Sequence, residues 1–185
     1  MSIHDLHGKF NGKEFEYISN YLDSESYSDE KSWAQRFEEE VSKHTGVKYA
    51  VACNSGTSGL HMAMYACGIG HGDEVITPAL TVVMDAYAVI HVGATPVFVD
   101  VERDTYGISV EEIKKKITSK TKAIITVSLQ GLSVDMDPIL ELAKENNIVV
   151  IDDSAQNILG EYKGRVAGTL ADISVLSFEN KKHMT

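Results

Sequence analysis

Short apolar segments alternate with amphipathic ones along most of this chain. The apolar segments are four to seven residues long, are rich in Val, Ile and Ala, and most of them end at Asn, Pro or Asp. Segments of this length and composition are typical of buried β-strands. They predict strands at residues 48–53, 74–77, 96–100, 122–128, 147–152 and 173–178.

The segments between the strands have apolar residues three or four positions apart, which is the period of a helix. One such segment begins at Ser32 and stops at Gly46, with Trp33, Phe37, Val41 and His44 on its apolar face. Ser109, with Glu112 three positions later, has the pattern of a capping box at a helix start. Further helices are predicted at residues 14–22, 58–67, 81–91, 109–117 and 138–146.

Apolar strands separated by helices predict an α/β fold, with a mostly parallel sheet between two helical layers. Residues 1–30 are polar and mixed, with a Ser-rich stretch at 23–29, and are predicted to form an N-terminal segment. Residues 31–185 are predicted to form one domain, because no linker divides them.

Composition and charge narrow the class of protein. The net charge is −10, and the densest basic stretch, 114–116 with Lys120 and Lys122, is typical of a solvated helix end, so nucleic-acid binding is not expected. No apolar run is long enough to span a membrane, and the first residues do not form a secretory signal. The two cysteines, Cys53 and Cys67, predict no disulfide framework and a reducing cytoplasm.

The first candidate motif is Asn54-Ser55-Gly56-Thr57-Ser58-Gly59, which follows a predicted strand and opens a predicted helix. Small residues let the backbone approach an anion, and the first amides of a helix favour negative charge. Thr57 and Ser58 add hydroxyl donors. The motif therefore indicates either a phosphate site or a capped, Gly-rich turn.

The second motif, Asp152-Asp153-Ser154-Ala155-Gln156, begins at the carboxyl end of a predicted buried strand, where parallel sheets bind ligands. A buried carboxylate needs a cationic partner, such as a protonated ring nitrogen, unless it caps the next helix instead. The third motif is Ser177 with Lys181 and Lys182, which follow the last predicted strand. Two interpretations remain open for these lysines. They are exposed loop residues, or one of them is an amine that reaches the carbonyl of a ligand held at the edge of the sheet.

These three motifs fall at the same end of one predicted parallel sheet. Pyridoxal 5′-phosphate (PLP) needs a phosphate anchor, an anion opposite its ring nitrogen and an amine for its aldehyde, so the combination favours PLP as the cofactor. No metal ligand is assigned.

The sequence resembles the sugar aminotransferases of the DegT/DnrJ/EryC1/StrS family, which have the aspartate-aminotransferase fold. The resemblance runs from about Trp33 to the end of the chain. It is carried by residues 49–60, 72–78, 93–101, 134–137 and 152–156 and by Ser177-Phe178.

The resemblance implies the three-layer α/β/α large domain of PLP fold type I. It implies that Lys182, five positions after Ser177, is the Schiff-base lysine, and that Asp153 pairs with the pyridine nitrogen. Gly56, Thr57, Ser58 and Ser177 are then expected to hold the phosphate, with Gln156 near the ring. Relatives with histidine at the lysine position are sugar dehydratases, so Lys182 favours transamination, although His183 stands next to it.

Two departures from the family pattern are visible. Val82 stands where the family often has an aromatic residue that stacks on the cofactor. Family members are also considerably longer, so this chain is expected to be an N-terminal portion in which the large domain is incomplete and the small C-terminal domain is absent.

The implied reaction is transfer of an amino group to a keto-sugar linked to a nucleotide diphosphate, with a 4-keto-6-deoxy sugar and glutamate as the expected reactants. Its product would be an amino sugar for polysaccharide, glycan or antibiotic biosynthesis, and the full-length enzyme is expected to be a cytoplasmic homodimer. The alternatives are an inactive or regulatory fragment of such an enzyme and a related PLP-dependent sugar dehydratase.

Overall fold

The computed structural model describes residues 13–23, 32–179 and 181–182. Its strands are β1 (Glu74–Pro78), β2 (Thr95–Val99), β3 (Thr121–Val127), β4 (Val149–Asp153), β5 (Glu161–Tyr162), β6 (Arg165–Val166) and β7 (Ile173–Val175). Five of them form one sheet in the order β2-β1-β3-β4-β7, and every neighbouring pair is parallel. β5 and β6 form a separate antiparallel pair, which the sequence did not predict.

Six α-helices lie in the part of the chain that the structure describes. They are α1 (Lys13–Asp23), α2 (Trp33–Thr45), α3 (Gly56–Ala66), α4 (Met84–His91), α5 (Val110–Lys116) and α6 (Met136–Asn146). A short 3-10 turn at Leu129–Gly131 follows β3. Most predicted elements are therefore confirmed, with boundaries that differ by one to three residues. The predicted Ser-rich stretch at 23–29 lies, apart from its first residue, outside the described residues.

Each face of the sheet has its own apolar layer. Ile151 packs in a layer with α3 and α4, which includes Leu60, Met64 and Val89. The preceding residue, Val150, packs in the opposite layer with α5 and α6, which includes Ile113, Ile139 and Leu142. Successive strand residues point to opposite faces, so the sheet is covered on both sides. This arrangement confirms the predicted α/β class with a three-layer architecture.

Capping explains several helix starts and corrects one prediction. Ser32 and Gln35 form a reciprocal capping box at α2, and Gly46 ends that helix with a left-handed φ of 80°. The capping box predicted at Ser109 is wrong, because the Ser109 side chain makes no capping hydrogen bond. Glu112 instead pairs with Lys115 at 2.6 Å on the exposed side of α5.

The strand predicted at 48–53 is also wrong. Tyr49 and Val51 are 75% and 71% exposed, and the segment pairs with no strand among the described residues. A β-strand is stabilised by the ladder of hydrogen bonds to a neighbour, which composition alone does not supply. The backbone here is held by a side chain, since the amide of Ala52 donates to Glu38 Oε1 at 2.8 Å.

Three other boundaries differ from the predicted ones. The last strand ends at Val175 rather than at residue 178, and α4 begins at Met84 rather than at residue 81. Asn147, expected to open a strand, has a left-handed φ of 54° and ends α6.

The lysine-rich stretch at 114–116 is confirmed as a solvated helix end, in which Lys114 and Lys115 pair with acids three positions earlier.

Candidate active site

Three features converge at the carboxyl end of the sheet, on one of its two faces. Ile151 faces the layer of α3 and α4, and Asp153, two residues later on the same strand, faces the same side. Asp152 faces the opposite side, where its Oδ1 accepts from Thr126 Oγ1 at 2.8 Å. The N-terminus of α3 and the segment after β7 lie on the Asp153 side, because α3 packs on β4 and β7.

The start of α3 has the properties of an anion site. Ser55 is the N-cap residue, and its Oγ accepts from the amide of Ser58 at 3.1 Å. The amides of Gly56 and Thr57 precede the first intrahelical hydrogen bond, which joins Gly59 to the carbonyl of Ser55. These two amides and the helix dipole together favour a bound anion.

Ser177 lies directly beside this helix start. A β-carbon added to Gly56 would be 3.5 Å from the β-carbon of Ser177 and 3.7 Å from its Oγ. The structure thus brings together Gly56 and Ser177, which the family resemblance places at one phosphate site. Ser58 is there too, but its hydroxyl is 3.0 Å from that of Ser55 and so also supports the turn.

Close packing explains why α3 reaches this position. A β-carbon on Gly59 would lie 2.9 Å from Val175 Cγ1, closer than real β-carbons approach. The absent side chain therefore lets α3 lie directly against β7. Helix α3 begins at Gly56, two residues earlier than predicted, and this places the glycine in the first helical turn.

Asp153 is a nearly buried carboxyl, 8% exposed, at the end of β4. Its Oδ1 accepts from the amide of Ala155 at 2.9 Å. Burial raises the pKa of Asp153, while the Ala155 amide, a hydrogen bond from Asp85 and the positive charge of Lys182 act in the opposite direction. A cation placed next to this carboxyl would relieve the cost of its burial.

Asp152 is held differently, although it is the adjacent residue. Both of its oxygens accept hydrogen bonds from hydroxyls, one from Thr126 and the other from Ser154 at 2.6 Å. Burial raises its pKa. Through Thr126, Asp152 links β3 to β4. Asp153 is therefore the acid that faces the α3 side of the sheet.

The two lysines differ in environment. Lys181 is exposed, whereas Lys182 is half-buried and its charge acts on the Asp153 carboxyl. The segment before them is anchored by Phe178, whose ring meets that of Phe37 edge to face at 4.9 Å. A turn follows, closed by the amide of Lys182 donating to the carbonyl of Glu179 at 2.8 Å. Position 183 lies outside the described residues.

Gln156 ties two loops together at the same end of the sheet. Its Oε1 accepts from the amide of Gln130 at 2.9 Å, and Gln130 has a left-handed φ of 56°. Gln156 itself is half-buried.

Val82 stands at the position where the family often has an aromatic residue. Its side chain is 42% exposed.

Asp85 belongs to this site but was not found from the sequence. It lies in the first turn of α4, is 0% exposed, and its Oδ2 accepts a hydrogen bond from the hydroxyl of Thr81. Burial and the charge of Asp153 raise the pKa of Asp85 to about 7. The available signal was an acid flanked by apolar residues, Val83-Met84 and Ala86, in a predicted amphipathic helix.

These groups can act together on one ligand. The α3 start can hold an anion, Asp153 can face a cationic group, and Lys182 supplies an amine near that acid. A phosphorylated aldehyde with a basic ring nitrogen has the matching set of functional groups, so the donor set fits PLP. No cluster of three or more His, Cys, Asp or Glu side chains with the arrangement of a metal site occurs within 13–23, 32–179 and 181–182.

The fold is the α/β fold of the PLP fold type I aminotransferases, whose solved structures the chain matches over about half of their length. The family model of the DegT/DnrJ/EryC1/StrS aminotransferases matches residues 9–185, and this chain belongs to that family. The family and fold class predicted from the sequence are thereby confirmed.

Three relatives show the extent of the similarity. The chain is 45% identical to the GDP-perosamine synthase of Escherichia coli O157:H7, covering 94% of this chain and 48% of that protein. The aminotransferase from Psychrobacter cryohalolentis superimposes with a TM-score of 0.90 at 38% identity, over 96% of this chain and 45% of the other. The PLP-form of Spr1654, a proposed sugar aminotransferase from Streptococcus pneumoniae, superimposes with a TM-score of 0.87 at 32% identity. The match covers 96% of this chain and 49% of the other.

The chain thus spans about half the length of the curated relatives it matches. Among the described helices, none combines the length and the apolar character that crossing a membrane requires. Cys53 and Cys67 are free thiols in this structure.

Proposed function

We propose that this chain forms the PLP-binding part of an aminotransferase that acts on a nucleotide-linked keto-sugar. The observation that carries the proposal is the position of Asp153, a buried carboxyl that lies on the same face of the sheet as the Gly56–Ser177 contact and is influenced by the charge of Lys182. Family membership and the PLP-form neighbour support the same cofactor.

The phosphate of the cofactor would bind at the start of α3. The amides of Gly56 and Thr57 and the hydroxyl of Ser177 provide donors there, and Ser58 contributes to the turn that presents them. An anion at this position is stabilised by the positive end of the helix dipole, typically by a fraction of 1 kcal/mol to about 2 kcal/mol.

Asp153 and Lys182 would act on the reactive part of the ligand. Asp153 would hold a proton on the ring nitrogen, and the Lys182 amine would hold the aldehyde and, when free, would serve as the acid–base group at the substrate carbon. PLP supplies a ring that accepts electrons when a proton leaves the substrate carbon. Gln156, which accepts a hydrogen bond from the amide of Gln130, would lie near the ring.

The names of the relatives support the proposed substrate class. The name GDP-perosamine synthase joins a nucleotide diphosphate to an amino sugar, and it supports a nucleotide-linked keto-sugar as the acceptor. Within that class we propose a 4-keto-6-deoxy sugar and glutamate as the donor. The amino sugar formed would enter polysaccharide, glycan or antibiotic biosynthesis.

We also propose that the full-length enzyme is a homodimer in the cytoplasm. Apolar and aromatic side chains remain exposed on the outer sides of the α3 and α4 layer, and they include Met62, Tyr65, Val83, Tyr87 and Ile90. A second subunit would bury them, since exposed patches of this kind are typical of interfaces. The two free thiols agree with a reducing compartment.

Borohydride reduction tests the proposal directly. The protein is incubated with PLP, reduced and digested, and mass spectrometry locates the modified lysine. We expect modification at Lys182, its loss in Lys182→Ala, and its retention in Lys181→Ala, the matched control. Modification at Lys181, or none at all, contradicts the assignment. A chain that binds no PLP would correspond to the inactive or regulatory alternative.

Product analysis then separates transamination from dehydration. The protein is supplied with nucleotide-linked keto-sugars and ¹⁵N-labelled glutamate. Transfer of the label to the sugar is expected, whereas loss of a sugar hydroxyl without gain of label would identify the dehydratase alternative.

A further inference from the structure

We propose that Asp85 is a positioning residue for Asp153: it carries a proton that the two buried carboxyls share, and it donates that proton in a hydrogen bond that orients the Asp153 carboxylate. This inference rests on the proposed function, because it concerns the acid that would face the cofactor ring. Asp85 acts on Asp153 as a neighbouring carboxyl, and it is assigned no contact with the cofactor.

The burial of the two carboxyls is the first argument. Asp85 is 0% exposed and Asp153 is 8% exposed, on the same side of the sheet. Asp85 Oδ1 is buried and receives no hydrogen bond from any donor among the described residues. A buried, unsatisfied carboxylate oxygen beside a second carboxylate would be strongly unfavourable, so a proton between them is expected.

The hydrogen-bonding partners show which acid carries the proton. Asp153 accepts from the amide of Ala155 and is influenced by the positive charge of Lys182, and both favour its charged form. Within the described part of the chain, the hydroxyl of Thr81, a neutral donor, is the hydrogen-bond donor to the Asp85 carboxyl. Two carboxyls can hydrogen-bond to each other only when one is protonated, and this asymmetry leaves the proton on Asp85.

The charges around the pair are few. β4 contributes Asp153, and the segment after β7 contributes Lys182. β1 presents the uncharged Thr77 on this side of the sheet. α3 contributes His61, whose ring is 5.9 Å from that of His91, at the far end of α4. His91 is six residues beyond Asp85, or roughly 9 Å along the helix.

NMR titration of the ligand-free protein tests the pair without the cofactor. With aspartate labelled at the side-chain carboxyl carbon, we expect one buried aspartate to titrate near pH 7. Its signal should be absent in Asp85→Asn and should move to lower pH in Asp153→Asn, which removes the neighbouring charge. Thr81→Val, which removes a hydrogen bond to the charged form, should move it to higher pH.

Asp152→Asn is the matched control, because Asp152 is also buried but faces the other side of the sheet. The near-neutral titration should remain in that variant. An Asp85 that stays ionised down to pH 5, or a titration that Asp153→Asn leaves unmoved, would overturn the shared proton.

Spectral titration with PLP tests the positioning role. Asparagine at position 85 can still donate to Asp153, so Asp85→Asn should bind PLP within about threefold of the wild type. Asp85→Leu, similar in size but without a donor, should bind at least tenfold more weakly and show an altered cofactor absorption band. Equal binding and equal spectra in the wild type and Asp85→Leu would refute the positioning role.

The two experiments also separate this inference from the proposed function. If the wild type binds no PLP while the paired titration is present, the proposed cofactor is wrong and the shared proton stands. If PLP binds to Lys182 but no paired titration occurs, the proposed function stands and the inference on Asp85 is wrong.

Discussion

Gly56 and Ser177 lie against each other at the carboxyl end of the sheet: a β-carbon on the glycine would be 3.5 Å from that of the serine. One residue begins α3 and the other follows β7. Their contact depends on the packing of α3 on the edge strand, and the first two predictions test that packing and the start of the helix.

Gly59→Ala should destabilise the protein. The new β-carbon would lie 2.9 Å from Val175 Cγ1, so the Val175 side chain, the helix or the strand must shift. Overpacking of this kind typically costs about 1–3 kcal/mol. Urea denaturation measures the effect, and Gly70→Ala is the control, because its β-carbon would meet only the carbonyl of Val92 at 3.7 Å. Equal loss in both variants would contradict the close contact.

Ser55→Ala should cost about 1 kcal/mol of stability, because the Ser55 hydroxyl caps α3 through the amide of Ser58. Ser109→Ala offers a matched comparison: Ser109 is also an N-cap residue, but its side chain makes no capping hydrogen bond. We expect a smaller loss there, because no capping hydrogen bond is removed. Denaturant titration of the ligand-free protein distinguishes the two, and a larger loss for Ser109→Ala would disprove the assignment of the caps.

The stability of the ligand-free protein should fall as pH rises from about 4 to 7. The pKa of Asp85 is raised to about 7 in the folded state, so this group binds more protons when folded than when unfolded. Its contribution is complete below the unfolded pKa and is lost as pH rises through the folded pKa. The stability difference between the wild type and Asp85→Asn should decrease by about 4 kcal/mol over this range.

Thermal and urea denaturation at a series of pH values provides the measurement. Asp152 is present in both proteins and faces the other side of the sheet, so the difference reports on Asp85 together with its coupled neighbour Asp153. A difference that does not change with pH would show that Asp85 keeps the same protonation in the folded and unfolded states.

The edge-to-face contact of Phe37 with Phe178 should be measurable as a coupling energy. This pair joins α2 to the segment that leads to Lys182, with ring centroids 4.9 Å apart. A double-mutant cycle with Phe37→Leu and Phe178→Leu should give about 0.5–1.5 kcal/mol. A cycle of Phe37→Leu with Phe98→Leu should give no coupling, because Phe98 lies on β2 at the opposite edge of the sheet.

The site could be predicted where local sequence carries its signal. The small residues at 54–59 and the acids at 152–153 both follow apolar strands, and parallel strands end at the same side of a sheet. The choice of Asp153 over Asp152 came from resemblance to the family. The structure adds a physical basis: the two acids face opposite sides of β4, and Asp153 shares the side of α3.

Asp85 shows why part of the site could not be predicted. Its burial depends on the packing of α4 against β1 and on the position of Asp153 in a strand far along the chain. A single acid in a helical segment is more often exposed, so the local pattern favours the wrong environment.

The amino-acid sequence alone fixes the alternation of strands and helices, and with it the α/β class, because a strand or helix is recognised by the local period of its apolar residues. It also fixes where most helices start and stop, since caps involve neighbours within a few residues. Three features depend instead on partners distant in the chain. They are the absence of strand pairing at 48–53, the strand order β2-β1-β3-β4-β7 and the interaction of Asp85 with Asp153. Hydrogen-bonded strand pairing and the burial of charge exist only once those partners are packed together.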